Sequence, residues 1–314
     1  MVVNAATLSG VFTTLKTAFL KAFSNPARAP KWQKIATKVP STTSQNDYAW
    51  LGAFPRFQEW IGPKAVKSLE AFSYSIKNRD FEATIAVKRN DIDDDNLGAY
   101  GIQAQDIGDS AAIWPDDLCA YLLNNGADAS KGKCYDGKAF FAANHPGVDA
   151  SGKKTTYSNK GDEVLSAATQ AAAMAGFGAA RTKLAAFCDD KGKLLGIRAD
   201  TLVVPPALED TANLLMTSDK LDDGKPNPYK GACTVEVWPE LTDPKAWFVM
   251  DTKRRVKPLV FQERKKPTFV KQTSMENDDV FNLGEYKFGG EARGNAGYGL
   301  WQQAYMADGT ADAE

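Results

Sequence analysis

The chain has 314 residues, of which 43% are apolar and 25% are charged, and these values exclude a protein that is disordered throughout. Its 38 basic and 39 acidic side chains leave a formal charge of −1, without the basic excess typical of a dedicated nucleic-acid-binding protein. The single histidine, His145, excludes metal sites that need several imidazoles. The length corresponds to one large domain or two modest ones.

Cysteine usage and hydropathy predict a soluble, cytosolic product that makes no membrane contact. No C-x-x-C pair is present, which argues against a zinc ribbon or a thioredoxin-type redox pair. Neither a secretory signal nor an apolar run of the roughly 18 residues that a membrane span needs occurs in the sequence. We expect free, scattered core cysteines, with two distant disulfides as the alternative, at Cys119, Cys134, Cys188 and Cys233.

Residues 7–24 predict an amphipathic helix, because apolar side chains recur there at spacings of three and four residues. We expect its apolar face to pack on another part of the protein or on a neighbouring copy, with a membrane surface as the alternative. The two prolines in Asn25–Pro30 end this helix. The apolar stripe consists of Leu8, Val11, Phe12, Leu15, Phe19, Ala22 and Phe23.

Residues 32–63 combine many aromatic side chains with glycine and proline and keep no regular period. Exposed aromatic patches usually mark interaction surfaces, so we expect a partner to cover these rings. Burial against the chain's own domain is the alternative. The aromatic residues are Trp32, Tyr48, Trp50, Phe54, Phe57 and Trp60.

Apolar side chains at every second position over residues 81–88 predict a strand. Asn78–Asp80 is a candidate turn that would join this strand in a hairpin to the run 72–76. The acidic segment 90–96 resembles a calcium loop, but it lacks the glycine at position 6 and the glutamate at position 12. We expect the segment to begin a helix instead, since Asp and Asn side chains accept hydrogen bonds from free backbone N–H groups.

Residues 97–124 carry one continuous apolar stripe and predict a helix roughly 40 Å long. Pro115 is expected to kink this helix, and Asn124–Gly126 to end it. The glycine-rich segment 289–299 predicts a bend or a tight strand contact, and the tail from Ala307 is expected to be mobile. Further elements are expected as a helix over 163–187, a strand over Thr201–Val204, a helix from Pro205 and strands after Thr234.

The sequence shows no recognisable active site. Any Ser-His or Cys-His nucleophile must use His145, which lies in the turn 144–147, with Cys134 as the nearest cysteine along the chain. A turn histidine before proline is more often structural, and a hydrolase that uses His145 stays as an alternative. No nucleophile elbow and no phosphate-binding loop occurs. These observations favour a protein that works through contact with other proteins.

Five blocks of this sequence resemble the major head subunit of Mu-like phages and prophages. The likeness runs in order from the N-terminal helix to the last strand, so the resemblance covers nearly the whole chain. It implies an α+β fold of the HK97-like capsid type. The blocks are WQKIATKVPS (32–41), DYAWLGAFPRFQEWIG (47–62), FEATIAVKRNDIDDDNLGAY (81–100), CYDGKAFFAANHPG (134–147) and GEARGNAGYGLWQQAYM (290–306).

The resemblance also implies a domain layout, in which the first helix reaches to a neighbouring subunit. Its parts are an N-terminal arm (1–36), an extended loop region (37–80), a peripheral domain (81–160) with a spine helix over about 97–124, an axial domain (161–250), and return strands of the peripheral domain with the C-terminal tail (251–314).

The implied function is that of a major capsid protein, with no enzymatic activity and no cofactor or metal. Hexamers and pentamers would close into an icosahedral shell around double-stranded DNA, which the shell would contact non-specifically. The chain would be made in the bacterial cytoplasm and end in the virion. Another ring- or tube-forming phage structural protein is the alternative.

Further partners are implied by the same resemblance. Because the arm begins near Met1, scaffolding is expected from a separate scaffold or protease protein. A portal protein and a decoration protein are the other expected partners. The expected intersubunit contacts are Phe12, Phe19, Trp50, Phe54, Phe57 and Trp60.

Overall fold

The structure is a computed structural model that describes residues 3–48, 51, 74–94, 96–274 and 276–311. Helices and strands are mixed along these ranges, which confirms the predicted α+β class. A π-helical turn at Met174–Gly178 joins two of the helices. The helices are α1 (Ala5–Phe23), α2 (Trp32–Ile35), α3 (Arg89–Asp93), α4 (Gly98–Asn125), α5 (Gln170–Ala173), α6 (Ala179–Ala185), α7 (Glu209–Thr217) and α8 (Asp278–Leu283).

The strands form two main sheets and two short ribbons. They are β1 (Ala36–Pro40), β2 (Gln45–Asp47), β3 (Ser75–Lys77), β4 (Arg79–Lys88), β5 (His145–Val148), β6 (Lys154–Tyr157), β7 (Lys160–Gly161), β8 (Thr201–Val204), β9 (Thr234–Val237), β10 (Trp247–Met250), β11 (Leu259–Gln272), β12 (Glu285–Tyr298) and β13 (Ala304–Ala307). The four-stranded sheet has the order β1-β11-β12-β4, and the five-stranded sheet has the order β7-β13-β10-β8-β9. The ribbons pair β2 with β3 and β5 with β6.

The four-stranded sheet is built around two 14-residue strands, β11 and β12, which run antiparallel. β11 runs as one strand from Leu259 to Gln272. Its register against β12 shifts between Glu263 and Thr268, and this irregularity accommodates Pro267, which has no N–H for the ladder.

Glycines in β12 let the first helix and the long helix approach the sheet closely. A Cβ atom at Gly290 would stand 3.0 Å from the Ile107 side chain and 3.4 Å from the Phe19 ring. A larger residue would push both elements outward. The tight strand contact predicted for the glycine-rich segment is confirmed.

The predicted long helix is confirmed as α4, whose 28 residues run through Pro115 and end at Gly126. On the apolar stripe of this helix, Ala104, Ile107 and Trp114 are buried, whereas Tyr121 is 52% exposed. The second half of α4 instead buries a neighbouring face of the helix, because it packs on other parts of the same chain. In one of these contacts the Tyr298 hydroxyl donates to the Leu122 carbonyl at 2.9 Å.

The predicted hairpin around residue 78 is wrong, although the strand over 81–88 is confirmed. β3 pairs with β2, and β4 pairs with β12. Asn78 lies between them and is buried: its side-chain amide donates to Ser41 Oγ at 2.8 Å and accepts from Gln262 Nε2 at 2.7 Å. Tertiary hydrogen bonds, not a turn, therefore determine the chain path at this position.

Two helix boundaries differ from the sequence-based expectation, and one short helix was not expected. The helix expected from residue 163 begins at Gln170, where the Thr169 side chain accepts from the backbone N–H of Ala172. The acidic segment forms the separate helix α3, and α4 starts after Leu97 without a side-chain cap. α8 was not predicted at all, because its six residues are too few to show a period.

The five-stranded sheet forms the core of the second half of the chain. β8 and β10 are buried along their whole length, and all four cysteines are free and buried, as predicted. β13, which the expected layout grouped with the return strands, pairs with β10 and β7 in this sheet. The tail was predicted to be mobile from Ala307. It is instead held by a backbone hydrogen bond as far as Ala311, whose N–H donates to the Asp162 carbonyl.

Candidate functional site

The first helix packs on the chain's own long helix and four-stranded sheet. Asn4 caps α1, and the predicted apolar stripe faces inward. The ring of Phe12 stacks on Phe269 and Phe288 at centroid distances of 5.9 and 6.5 Å. The Phe19 ring lies 5.3 Å from Phe269 and has no exposed surface.

This packing bears on two of the six expected intersubunit contacts. Phe19 is covered by its own chain, so a contact with a neighbour would require α1 to leave its present position. Phe12 is half-buried and keeps part of its surface. The other four expected contacts, Trp50, Phe54, Phe57 and Trp60, lie outside the described residues and stay predictions.

A groove of about 600 Å³ runs between α4 and the strands β3, β4 and β12. Its walls combine aromatic and aliphatic side chains with charged ones such as Arg79 and Glu82. The indole N–H of Trp114, which lines it, has no hydrogen-bond partner among the described residues. Grooves with exposed apolar side chains commonly mark interaction sites. The aromatic and aliphatic lining includes Tyr74, Ile76, Phe81, Trp114, Leu118 and Tyr121.

A second exposed apolar feature lies on α8, which connects the long strands β11 and β12 along the chain. Phe281 is 86% exposed and Leu283 is 62% exposed. Two exposed apolar side chains on one short helix are a candidate contact for a partner. Sequence reasoning missed it, and the only local signal is an apolar pair within the polar stretch 276–285.

His145, the only candidate for catalysis, is fully buried and held on both ring nitrogens. Its Nδ1 lies 2.6 Å from Asp136 Oδ2, and its Nε2 lies 3.1 Å from Asn159 Oδ1. The ring stacks on Trp301 with centroids 4.0 Å apart and planes 8° apart. An imidazole so enclosed has no access to a substrate, and the hydrolase alternative gains no support.

Asp136 links this histidine to the nearest cysteine. Its Oδ1 accepts from the Cys134 thiol at 3.1 Å and from the Lys138 backbone N–H at 3.0 Å. Burial and the neighbouring Asp136 carboxylate raise the pKa of Cys134, so the thiol stays protonated and is a poor nucleophile. Burial alone would raise the pKa of Asp136, but the hydrogen bonds from His145, Cys134 and Lys138 outweigh it and hold that pKa below its usual value.

Cys134, Asp136 and His145 are the described residues whose donor atoms lie close enough to hold a metal ion together, all within 4.8 Å of one another. The Nδ1–Oδ2 separation of 2.6 Å is that of a hydrogen bond. Two ligands of a tetrahedral zinc ion stand about 3.3 Å apart. The three side chains therefore form a hydrogen-bonded network, in which Asp136 is bonded to both Cys134 and His145.

Among the described helices, none is both long and apolar enough to cross a bilayer.

Comparison with known proteins places the chain among phage head subunits. The family model described as Mu-like prophage major head subunit gpT matches residues 8–169, 164–241 and 240–314. The chain is 30% identical over 310 residues to the major capsid protein of Escherichia phage Mu, covering 98% of this chain and 76% of that protein. It is 29% identical to the FluMu major head subunit of Haemophilus influenzae, covering 92% and 70% respectively.

Solved structures show the same likeness. A procapsid subunit of bacteriophage JBD30 matches with 31% identity and a TM-score of 0.59, over 97% of this chain and 76% of that one. A JBD30 capsid decorated with minor capsid protein trimers matches with 27% identity and a TM-score of 0.59, over 70% and 92%. A virus-like particle from Pyrococcus furiosus shares the fold alone, at 10% identity and a TM-score of 0.53, over 94% and 98%. With a family model that matches almost every residue and capsid subunits that share its fold, this chain belongs to the Mu-like prophage major head subunits and is a major capsid protein.

Proposed function

We propose that copies of this chain assemble as hexamers and pentamers into a closed icosahedral shell that encloses double-stranded phage DNA. The observation that carries the proposal is the likeness to the JBD30 procapsid subunit over 97% of the chain at 31% identity. A stable interface buries roughly 1,200–2,000 Å². A shell subunit makes several such interfaces, so individually weak contacts add up through multivalency.

The proposed layout divides the chain by its two sheets. The four-stranded sheet with α4 forms the peripheral domain, and the five-stranded sheet with α5 to α7 forms the axial domain near the symmetry axes. The arm is α1, and the extended loop lies within residues 37–80. In the single chain the arm packs on α4. This supports a subunit whose arm is folded onto its own chain before the subunit contacts its neighbours.

The proposed contact surfaces are the groove along α4, the exposed Phe281 and the predicted aromatic residues Trp50, Phe54, Phe57 and Trp60. Two observations support the first pair: the groove has aromatic and aliphatic side chains among its lining residues, and Phe281 is 86% exposed. Aromatic side chains dominate interface energetics, and burying them against a neighbour would remove this apolar surface from water.

The proposed partners beyond the chain itself are a separate scaffold or protease protein, a portal protein, a decoration protein and packaged DNA. Decoration is supported by the JBD30 capsid, which carries minor capsid protein trimers. The formal charge of −1 supports weak, non-specific contact with DNA. The chain would be made in the host cytoplasm.

We also propose that the chain has no enzymatic activity. Its one imidazole is buried with both nitrogens engaged, and Cys134 beside it is held as a neutral thiol. The relatives it matches are named as structural capsid proteins.

Negative-stain electron microscopy tests the proposal on the full chain, expressed alone and together with the neighbouring scaffold gene. We expect uniform closed shells in at least one of the two samples. Tubes or rings would instead support a tail component. Monomers in both samples, with the scaffold protein confirmed to be present, would contradict shell assembly.

A further inference from the structure

The hydrogen-bonded network around His145 joins segments that are far apart in the chain. Asp136 comes from the turn after α4, His145 begins β5, Asn159 precedes β7, and Trp301 lies in the turn that leads into β13. β13 lies between β7 and β10 in the five-stranded sheet. The network therefore connects the loop after the long helix with the C-terminal part of the second sheet.

The orientation of the Asn159 amide is determined by its four other partners. Its Nδ2 lies 2.7 Å from the Phe140 carbonyl, 3.2 Å from that of Trp301 and 3.1 Å from that of Ala304. Its Oδ1 accepts from the Ala142 backbone N–H at 2.9 Å. Carbonyls can only accept and an N–H can only donate, so this amide cannot be flipped. It follows that His145 Nε2, which faces Oδ1, is a donor and carries a proton.

The other ring nitrogen faces a carboxylate. Asp136 Oδ1 accepts hydrogen bonds from the Cys134 thiol and the Lys138 N–H, so a proton on this carboxyl group would have to be on Oδ2. Its Oδ2 lies 2.6 Å from His145 Nδ1, a separation that two bare acceptors do not adopt. A proton must therefore lie between them. Because an imidazole is ordinarily a stronger base than a carboxylate, we assign this proton to Nδ1.

We propose that His145 is a doubly protonated imidazolium in the folded chain, and that with Asp136 it forms a buried ionic clasp that holds residues 301–307 against the loop after α4. The pair is neutral as a whole, so its burial leaves no uncompensated charge. The imidazolium lies flat on the face of Trp301, which is the favourable placement of a cation on an indole. Trp301 is thereby held directly, and β13 follows it three residues later.

The surrounding elements bring few other charges to this pair. The turn contributes Cys134 and Tyr135, and burial raises the pKa of both, so both stay neutral. The Lys138 side chain is exposed. Tyr157 of β6 donates its hydroxyl to the Val148 carbonyl. Among the described residues, Asp136 is the carboxylate paired with His145.

The single histidine makes the protonation state directly measurable. The full chain, labelled with ring-¹⁵N histidine, is examined by nitrogen NMR at neutral pH, as the subunit in solution or as sedimented particles. We expect both ring nitrogens at the shift of protonated nitrogen. A signal at the shift of a bare nitrogen would overturn the imidazolium assignment, and this test needs no variant.

The clasp itself is tested by Asp136→Asn, followed by amide hydrogen exchange of the peptide that covers residues 301–307. We expect exchange there to become about tenfold faster or more, because the ionic tie to the turn is lost. The matched control is Asp223→Asn: both aspartates begin an Asp-Gly-Lys turn and accept from the lysine N–H at 3.0 Å, but Asp223 has no histidine partner. Unchanged exchange in Asp136→Asn, or an equal effect of Asp223→Asn, would overturn the clasp.

Discussion

A Cβ atom on Gly108 would collide with the backbone carbonyl oxygen of Phe19, so α1 and α4 touch backbone to backbone where they cross. The same Cβ would stand 2.9 Å from Ala22. This close approach lets the Phe19 ring reach Phe269 on the sheet below. The position of the arm on its own chain therefore depends on one residue without a side chain.

Gly108→Ala should separate the two helices and lower the free energy of unfolding by about 1–3 kcal/mol. The matched control is Gly101→Ala in the same helix, where an added Cβ meets nothing within 4 Å. That change should stabilise the chain by about 0.5–1 kcal/mol through helix propensity. Urea unfolding of the isolated subunit measures both. Equal effects of the two changes would contradict the close crossing.

Asp116→Ala should destabilise the chain by about 1–3 kcal/mol, because two backbone donors lose their acceptor. The buried Asp116 carboxylate accepts from the N–H groups of Lys31 at 3.0 Å and Trp32 at 2.7 Å, and so caps α2 from α4. Asp117→Ala, at the exposed neighbouring position, should change stability by no more than about 0.5 kcal/mol. Urea unfolding compares the two, and a similar loss in both would show that the cap contributes little.

Phe281→Ser should reduce particle yield while leaving subunit stability within about 0.5 kcal/mol, since the ring is 86% exposed in the single chain. The conservative variant Phe281→Leu keeps an apolar side chain and should assemble better than the serine variant. Particle yield from gradient sedimentation is the measurement. Normal yield in Phe281→Ser would exclude this ring as an assembly contact.

Trp60→Ala should impair assembly more than subunit folding, as the sequence predicts for an aromatic side chain that a neighbour covers. Trp60 lies outside the described residues, so the prediction rests on the sequence alone. Subunit unfolding and particle yield are measured on the same preparation. Loss of both to the same degree would assign Trp60 to the subunit's own core.

Acid should weaken the contribution of Asp136 to stability. Its pKa is lower in the folded chain than in the unfolded chain, so the folded state binds its proton later as the pH falls. The contribution is complete above the unfolded value of about 3.9 and is lost as the pH falls through the folded value. The stability difference between wild type and Asp136→Asn should therefore shrink below about pH 4.

Urea midpoints of wild type and Asp136→Asn over a pH series check this. Other carboxylates with lowered pKa values, such as Asp149 and Asp223, are present in both proteins and cancel in the comparison. A difference that stays constant or grows in acid would contradict the assigned direction.

Much of the local structure was predictable from the sequence. The stripe of α1, the length of α4 and the alternation of β4 each reflect one apolar face, and each is observed where it was predicted. The five sequence blocks were sufficient to indicate the family. These features are visible because periodicity is a property of neighbouring residues along the chain.

The partners of those faces were not predictable. The stripe of α1 was compatible with a neighbouring subunit, yet in the structure it covers the chain's own α4 and sheet. β3 and β4 looked like a hairpin, but Asn78 is held by Ser41 and Gln262, which are distant in sequence. Likewise, the sequence placed His145 in a turn, and Asn159 and Trp301 surround it only after folding.

The sequence by itself thus determined the longest helices and the strand over 81–88, the apolar face of the first helix, and the capsid family to which the chain belongs. Only the tertiary structure decided that the arm lies on its own subunit, that Phe281 is left exposed and that His145 is sealed in a network. The reason is physical: an apolar face or a polar side chain specifies what kind of partner it needs, whereas the partner it obtains depends on long-range packing of the whole chain.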